Sequence, residues 1–315
     1  MGAVLISYSF RGGTQEPLSY SSYGTEQETI HTKGSPVDTQ ESAPTPVIEG
    51  EALFLKDIVL TLGESLDSLL AKLGTPRRIA PTEYDFEFYI YNENYSNLLF
   101  VAVKEKEIAG FYTDSLYFRF MGIKAGSDIE EVNLCLDSRY SLSEILTYDD
   151  NRFTASILMD KIGTGTVTGV YILSNEVVEG SINEDVMKSM ALLTYDLTNS
   201  IRARNSLPLL SWSSSAAMAA RKHSYDMAHR HYFDHVSYDG SLPADRLREA
   251  GVSFQKNGEN IIAGYGTAIL SSHAWFNSPG HRINLLNPDY ISLGIGFVYL
   301  KDSDYGTYMT QDFYR

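Results

Sequence analysis

Large apolar side chains are sparse at the start of the chain. Met1 to Phe10 is short, apolar and uncharged, and residues 11–50 are rich in Gly, Ser, Thr, Pro, Gln and Glu. Such a stretch buries too little apolar surface to offset its ordering entropy, so 1–50 is expected to be an apolar start followed by a disordered linker. The start reads as the remnant of a signal or anchor segment, although it lacks a basic n-region.

From 53 to 180 the apolar pattern becomes periodic and repeats. Leu62-Gly-Glu-Ser-Leu-Asp-Ser-Leu-Leu70 matches Ala125-Gly-Ser-Asp-Ile-Glu-Glu-Val-Asn133. Each copy has a glycine, a Ser or Asp cap, then apolar residues three apart (Leu66 and Leu69; Ile129 and Val132), which is the pattern of a helix start. Gly74 and Pro76 stop the first helix. Strand patterns follow at Tyr84–Tyr91, Leu98–Val103 and Ile108–Thr113, and again at Phe153–Met159 and Thr166–Leu173. The expectation is a small α+β domain built from two helix-plus-antiparallel-strand repeats. No catalytic constellation lies in it, so it reads as a scaffold or interaction module.

Residues 181–183 read as a hinge. Beyond it, Glu184 to Asn205 carries a helical stripe of Met187, Met190, Ala191, Leu193, Leu197 and Ile201. A second helix, about Ser213 to Arg230, places Ala216, Ala219, Ala220, His223 and Met227 on one face. A short helix follows Pro243. Then come a strand at Glu259–Ala263, a helix at Thr267–Phe276, and two strands, Ile291–Leu300 and Thr307–Tyr314, joined by a turn at Asp302–Gly306.

Charge and histidine separate the two halves. The net charge is −15; residues 1–183 hold 13 Lys+Arg against 27 Asp+Glu, while 184–315 hold 12 against 13. Nucleic acid is excluded as a partner, because its binding starts from clustered Lys and Arg. Six of the seven histidines lie in 184–315: His223, His229, His231, His235, His273 and His281. His223, on the apolar helix face, reads as a satisfied core histidine. His229 and His231 read as surface residues, and His273 as a helix-face residue. The single cysteine, Cys135, rules out an intramolecular disulfide and reads as a small core residue in an apolar run. No apolar run reaches 18 residues, so no transmembrane helix is expected.

The chemistry gathers in three strings that interrupt regular elements: Tyr232-Phe-Asp-His235 with Asp239-Gly240 after it, Gly258-Glu-Asn260, and Trp275-Phe-Asn-Ser-Pro-Gly-His281-Arg282. No Gly-x-Ser-x-Gly elbow and no His-Glu-x-x-His helix is present, which disfavours a serine hydrolase and a zinc protease of the common kinds.

These strings, with Leu-Gly-Ile-Gly296 and Thr310-Gln311-Asp-Phe313 after them, resemble the bacterial branch of the CAP superfamily (cysteine-rich secretory protein, antigen 5, pathogenesis-related-1), covering 184–315. Residues 53–180, through Leu73-Gly-Thr-Pro-Arg-Arg78 and Pro81-Thr-Glu-Tyr84, resemble the accessory domain that precedes CAP domains in Bacillus-type secreted proteins. The resemblance implies an α+β chain ending in an α-β-α sandwich, at an extracellular or cell-surface address. It implies a cleft carrying His235, Glu259 and His281, with Asn260 and Ser278 lining it. The family's second glutamate is matched here by Ser278, which puts any two-carboxylate mechanism in doubt. Two imidazoles and one carboxylate suit Zn²⁺ or another divalent ion. They also suit acid–base work, with Glu259 orienting a histidine, or a buried structural network. Trp212 and Trp275 read as core or cleft wall, and Arg282 as the partner of a carboxylate. The functional expectation is a monomeric binding protein, the cleft taking a divalent ion, a lipid or a cell-wall polymer. The alternatives are an extracellular hydrolase of peptide or wall material, and an interaction protein working through the acidic 53–180 domain.

Overall fold

The computed structural model describes residues 4–10 and 52–315; the expected linker lies outside the described residues. Val4–Phe10 (β1) is a strand in the C-terminal sheet, not a segment held apart from the domains, and its backbone pairs antiparallel along Asn257–Ala263.

The repeat seen in the sequence is a repeat of structure. The first unit holds β2 (Ala52–Leu55), β3 (Ile58–Thr61), α1 (Leu66–Leu73), β4 (Arg78–Pro81), β5 (Glu87–Tyr91), β6 (Leu99–Lys104) and β7 (Glu107–Thr113). The second holds β8 (Phe118–Phe120), β9 (Ile123–Lys124), α2 (Ile129–Leu136), β10 (Ile145–Asp149), β11 (Phe153–Met159) and β12 (Val167–Ser174). Ser65 and Asp128, the matched cap residues, each accept a backbone N–H three residues on. The Gly63 N–H donates to the Ile108 carbonyl as the Gly126 N–H donates to that of Val167, tying each helix start to its own sheet strand. The two meanders join at β7 and β12 into one antiparallel sheet, in the order β10-β11-β12-β7-β6-β5-β4; β3-β2-β8-β9 form a smaller sheet.

The C-terminal half contains α3 (Glu184–Arg204), β13 (Ser211–Trp212), α4 (Ser214–Arg230), α5 (Pro243–Glu249), β14 (Asn257–Ala263), α6 (Ala268–Phe276), α7 (Pro279–Leu285), β15 (Ser292–Tyr299) and β16 (Thr307–Tyr314). Its sheet runs β1-β14-β16-β15-β13. The α4 helix packs on β15 at backbone distance: a methyl group on Gly296 would meet the Arg221 backbone nitrogen at 2.0 Å. Glycine there is what lets the helix lie so low.

Residues 181–183 do not act as a hinge, because the two halves share a core. Phe88, Phe100, Tyr112 and Leu158 from one face of the seven-stranded sheet pack in one cluster with Met190, Leu197 and Trp275 from α3 and α6. The other face packs Leu99, Val101, Phe111 and Ile157 against Leu69 and Val132 of α1 and α2. Period-2 alternation therefore serves two cores. Helix α3 lies between two sheets, which explains why even Asp196, Asn199 and Arg202 are buried on it, well beyond the expected single stripe. Cys135 is exposed, correcting its reading as a core residue: α2 has eight residues, and only Val132 and Leu136 of them are buried.

One group beside the connection is buried with little compensation. Glu83 has a side-chain oxygen with no hydrogen-bond partner among the described residues, and burial pushes its carboxyl up to about 7. The native state therefore favours a neutral Glu83, while the unfolded chain ionises it from the ordinary value of 4.5 upward. The resulting penalty is absent below pH 4.5 and grows as pH rises toward 7. Glu83→Gln should remove it, so its stability gain over wild type should grow by up to about 3 kcal/mol between pH 4.5 and 7 in urea titrations. A gain independent of pH would contradict this account.

Candidate functional site

The site is built on β14. Glu259 and Asn260 are consecutive in that strand, so their side chains leave on opposite faces, and each organises one group of residues.

On one face Glu259 is fully buried. Its Oε1 accepts from His235 Nδ1 at 2.6 Å and its Oε2 from an Arg246 guanidinium nitrogen at 2.5 Å. Arg246 projects from α5, entered through Pro243 at the first helical position. It also donates to the His235 carbonyl, to Ser237 Oγ and to the Ser241 carbonyl, at 3.0, 2.9 and 3.1 Å. One arginine thus fixes both the carboxylate and the loop carrying His235. Burial works against ionising Glu259, but Arg246 first and the neighbouring histidines after it hold its carboxyl down at about 2. A carboxylate so held is an acceptor, which places the proton on His235 Nδ1.

Two further groups face Glu259. His223, on the α4 face, donates from Nε2 to the Asp234 carbonyl (3.0 Å), which leaves Nδ1 to accept from Ser237 Oγ (3.3 Å), and it lies 3.9 Å from Glu259. Burial lowers its pKa to about 4, so it is neutral at pH 7, the satisfied core histidine expected. Asp312 sits directly opposite Glu259 in the register of β14 and β16. Burial, then the Glu259 charge, pushes its carboxyl well above the usual range and favours its protonated form.

On the other face Asn260 donates to the His281 carbonyl at 3.3 Å and to Gln311 Oε1 at 3.1 Å, and accepts from Asn284 Nδ2 at 2.9 Å. His281 and Asn284 belong to α7, a helix that the sequence did not reveal. Ser278 is the N-cap of α7 but makes no capping bond; its hydroxyl lies 2.7 Å from His281 Nδ1. Ser278 thus orients His281 as Glu259 orients His235. β1 follows the same sheet edge, Tyr8 opposite Glu259 and Ser7 opposite Asn260 in backbone register.

The expected metal set does not assemble. Among the described residues no three His, Cys, Asp or Glu side chains are grouped to hold a metal ion. The chemistry agrees: both Glu259 oxygens are used, and Arg246 already neutralises the charge that a divalent ion would need. Zn²⁺ is therefore a poor fit to His235, Glu259 and His281 as placed.

The remaining expected residues divide. His229 and His231 are exposed, His231 pairing with Asp304 at 2.9 Å. His273 is buried, its Nε2 2.8 Å from the Glu144 carbonyl. Trp275 is core, its Nε1 donating to the Ile261 carbonyl; Trp212 packs edge-on against Tyr195. Arg282 has its carboxylate, Asp160, in the other domain. Sequence reading missed Arg246, Asp312, Gln311 and Asn284 as members of the site. Asp312 carried a signal: it is a charged residue on the inward face of a strand otherwise lined by Tyr308 and Thr310.

Comparison with known proteins bears on the two domains rather than on the individual site residues. Residues 195–313 match the cysteine-rich secretory protein family, CAP, and residues 62–144 match the CAP-associated N-terminal family. The membrane protein YlbC of Bacillus subtilis (strain 168) is 27% identical over 273 residues, 75% of this chain and 79% of that protein. YkwD of the same organism is 37% identical over 118 residues, 38% of this chain and 44% of that protein. Among solved structures, an extracellular protein containing a SCP domain from Bacillus anthracis superposes with a TM-score of 0.67 at 27% identity, covering 91% of this chain and all of that one. A cysteine-rich secretory protein from Staphylococcus aureus shares the fold, with a TM-score of 0.62, 18% identity, and coverage of 80% of this chain and 91% of that one. No helix among the described residues is long and apolar enough to cross a membrane.

Proposed function

We propose that this chain, a CAP domain of the cysteine-rich secretory protein family with a CAP-associated domain before it, acts outside the cell as a binding module whose cleft takes a cell-wall polymer. The observation that carries the reading is the way its two histidines are held. His235 is fixed by a Glu259 already neutralised by Arg246, and His281 is fixed by the Ser278 hydroxyl. Each ring is oriented, as recognition requires, but Ser278 takes the place of the second carboxylate that paired acid–base hydrolysis uses. Close in sequence to these histidines, Val236, Tyr238 and Ile283 are exposed, and apolar and aromatic side chains of this kind suit sugar faces and peptide side chains. The extracellular address is supported by the description of the Bacillus anthracis neighbour.

The test is co-sedimentation of the full chain with purified Gram-positive peptidoglycan, alongside Zn²⁺ calorimetry. Wild type should pellet with the polymer, and His235→Ala and His281→Ala should each lose most of that binding. Zn²⁺ should give no stoichiometric heat at neutral pH. Equal pelleting of all three proteins would remove the cleft from the interaction. A single Zn²⁺ site abolished by both substitutions would restore the metal reading. Release of soluble fragments during the incubation would favour the hydrolase, for which the 2.6 Å His235–Glu259 pair is the one supporting feature.

A further inference from the structure

The geometry points to the CAP-associated domain as a working part of the cleft: its β11–β12 turn grips the segment 277–282 and so positions Ser278 and His281. This inference rests on the cleft reading only for what His281 finally contacts; the positioning itself is measurable without a ligand.

The grip has three points, all in the turn that follows Met159. Asn277, the residue before Ser278, donates from Nδ2 to the Met159 carbonyl at 3.0 Å and accepts the Lys161 N–H on Oδ1 at 2.8 Å. Arg282, the residue after His281, forks onto Asp160 with distances of 2.5 and 3.0 Å. The pieces that hold the histidine thus lie on both sides of it in sequence, and both are anchored to the same three residues of the other domain. Asparagine fits position 277 because it needs a donor and an acceptor on one short side chain, and it meets a carbonyl and an N–H two residues apart.

The turn is shaped for this task. Asp160 accepts from the Thr164 backbone and hydroxyl as well as from Arg282. Burial works against its ionisation, but the Arg282 fork and the Thr164 donors outweigh it and hold the carboxyl below the ordinary value. At Gly163 a methyl group would fall 2.3 Å from an Asp160 oxygen and 2.8 Å from the Arg282 guanidinium, so only glycine leaves the pair room. Arg282 is also stacked over the Phe276 ring at 3.9 Å, which fixes its plane. The Asn277 and Arg282 bonds tie α7 to the neighbouring domain, while Thr164 and Phe276 hold the Asp160–Arg282 pair in place from either side.

The consequence is directional. His235 is held from within the CAP domain by Glu259 and Arg246, whereas the His281 segment, besides the Asn260 bond to the His281 carbonyl, is held from outside it as well. Loosening the turn should release one histidine and leave the other.

The experiment uses the full chain, with histidine ring signals followed by NMR and backbone amide exchange read in α7 and β14. Asp160→Asn should broaden or split the His281 ring signal and speed exchange at the α7 amides, Arg282 and Leu286, by at least about tenfold, the factor expected from losing a charge-assisted bidentate contact. His235 and the β14 amides should stay as in wild type. Arg282→Lys keeps the charge but loses the fork, and should give a smaller change at the same positions; it also serves should Asp160→Asn fold poorly. Equal movement of both histidines would mean general loosening, and no movement of His281 would mean that α7 holds itself; either result overturns the inference. Failed peptidoglycan binding by wild type with a selective His281 response would sink the wall-polymer reading and leave the clamp standing.

Discussion

Arg246→Met should cost about 3–5 kcal/mol of stability in urea denaturation, the range measured when one partner of a buried ion pair is removed. The size follows from what would be left behind. Glu259 is fully buried, faces Asp312 across the ladder, and has His235 as its other partner. Without the guanidinium a carboxylate stays in the core, and the His235, Ser237 and Ser241 acceptors lose their donor together. Methionine keeps most of the side-chain volume, so the loss is electrostatic rather than a cavity. The sign of the pH dependence separates the causes. In wild type the Glu259 carboxyl is depressed to about 2, so its contribution is complete above the ordinary value of 4.5 and is lost as pH falls from there toward 2. In the variant the largest opposition to burial is gone and only the histidines remain, so the carboxyl rises, its penalty is greatest at neutral pH and protonation on acidification relieves it. The difference between the two proteins should therefore shrink as pH falls from 7 toward 4. Adding Glu259→Gln to Arg246→Met should recover much of the loss, because it removes the stranded charge. A loss under about 1 kcal/mol, or one that does not change with pH, would show that the pair is a minor part of the site.

How far the site was legible depended on whether a residue's role was local. His235, Glu259 and His281 stand in short strings broken by Gly, Pro or Asp, and the sequence marks them. The repeated domain was equally legible, because Gly63 and Gly126, with the caps Ser65 and Asp128, recur at equal spacing and make the same helix start. Arg246 was not legible: it sits in a polar seven-residue helix, and its four contacts reach loop and strand positions that no periodicity connects. The metal expectation rested on residue types alone: nothing in the sequence shows that Arg246 takes the Glu259 charge or that the His281 carbonyl is bonded to Asn260 on the other face of β14. Cys135 was misread because α2 is short; Leu134, its neighbour, is 84% exposed, so the apolar run is not a buried one. The polar residues buried on α3 could not be read from one stripe, since a second sheet covers what would otherwise be the solvent face.

That second covering makes the other large prediction, which concerns the domains as separate pieces. Expressed alone, residues 52–180 should fail to give a stable monomer. Phe88, Ile90, Phe100, Tyr112, Leu158 and Tyr171 line the sheet face that α3 and α6 cover, and each is at most 6% exposed in the whole chain. Re-exposing such side chains costs about 1.5–3 kcal/mol for each one fully uncovered, and a few of them equal the entire stability of an ordinary domain. Polar groups would be stranded as well. Asp114 bonds Ser200 and pairs with Arg204, and Arg78, Asn92 and Tyr95 converge on Asp196, all across the same boundary. A sheet face of this kind on a free domain is a surface for aggregation. Size-exclusion chromatography with light scattering should show the piece aggregated or insoluble, while the full chain unfolds in one transition. A monomeric, cooperatively folding 52–180 fragment would mean that the shared core is a loose contact. In that case the turn at Asp160 would be pressing on α7 from a mobile platform, and the clamp on His281 would have to be weak. The two results are linked: the domain can hold the Asn277–Arg282 segment in place only because its own sheet is completed by α3 and α6.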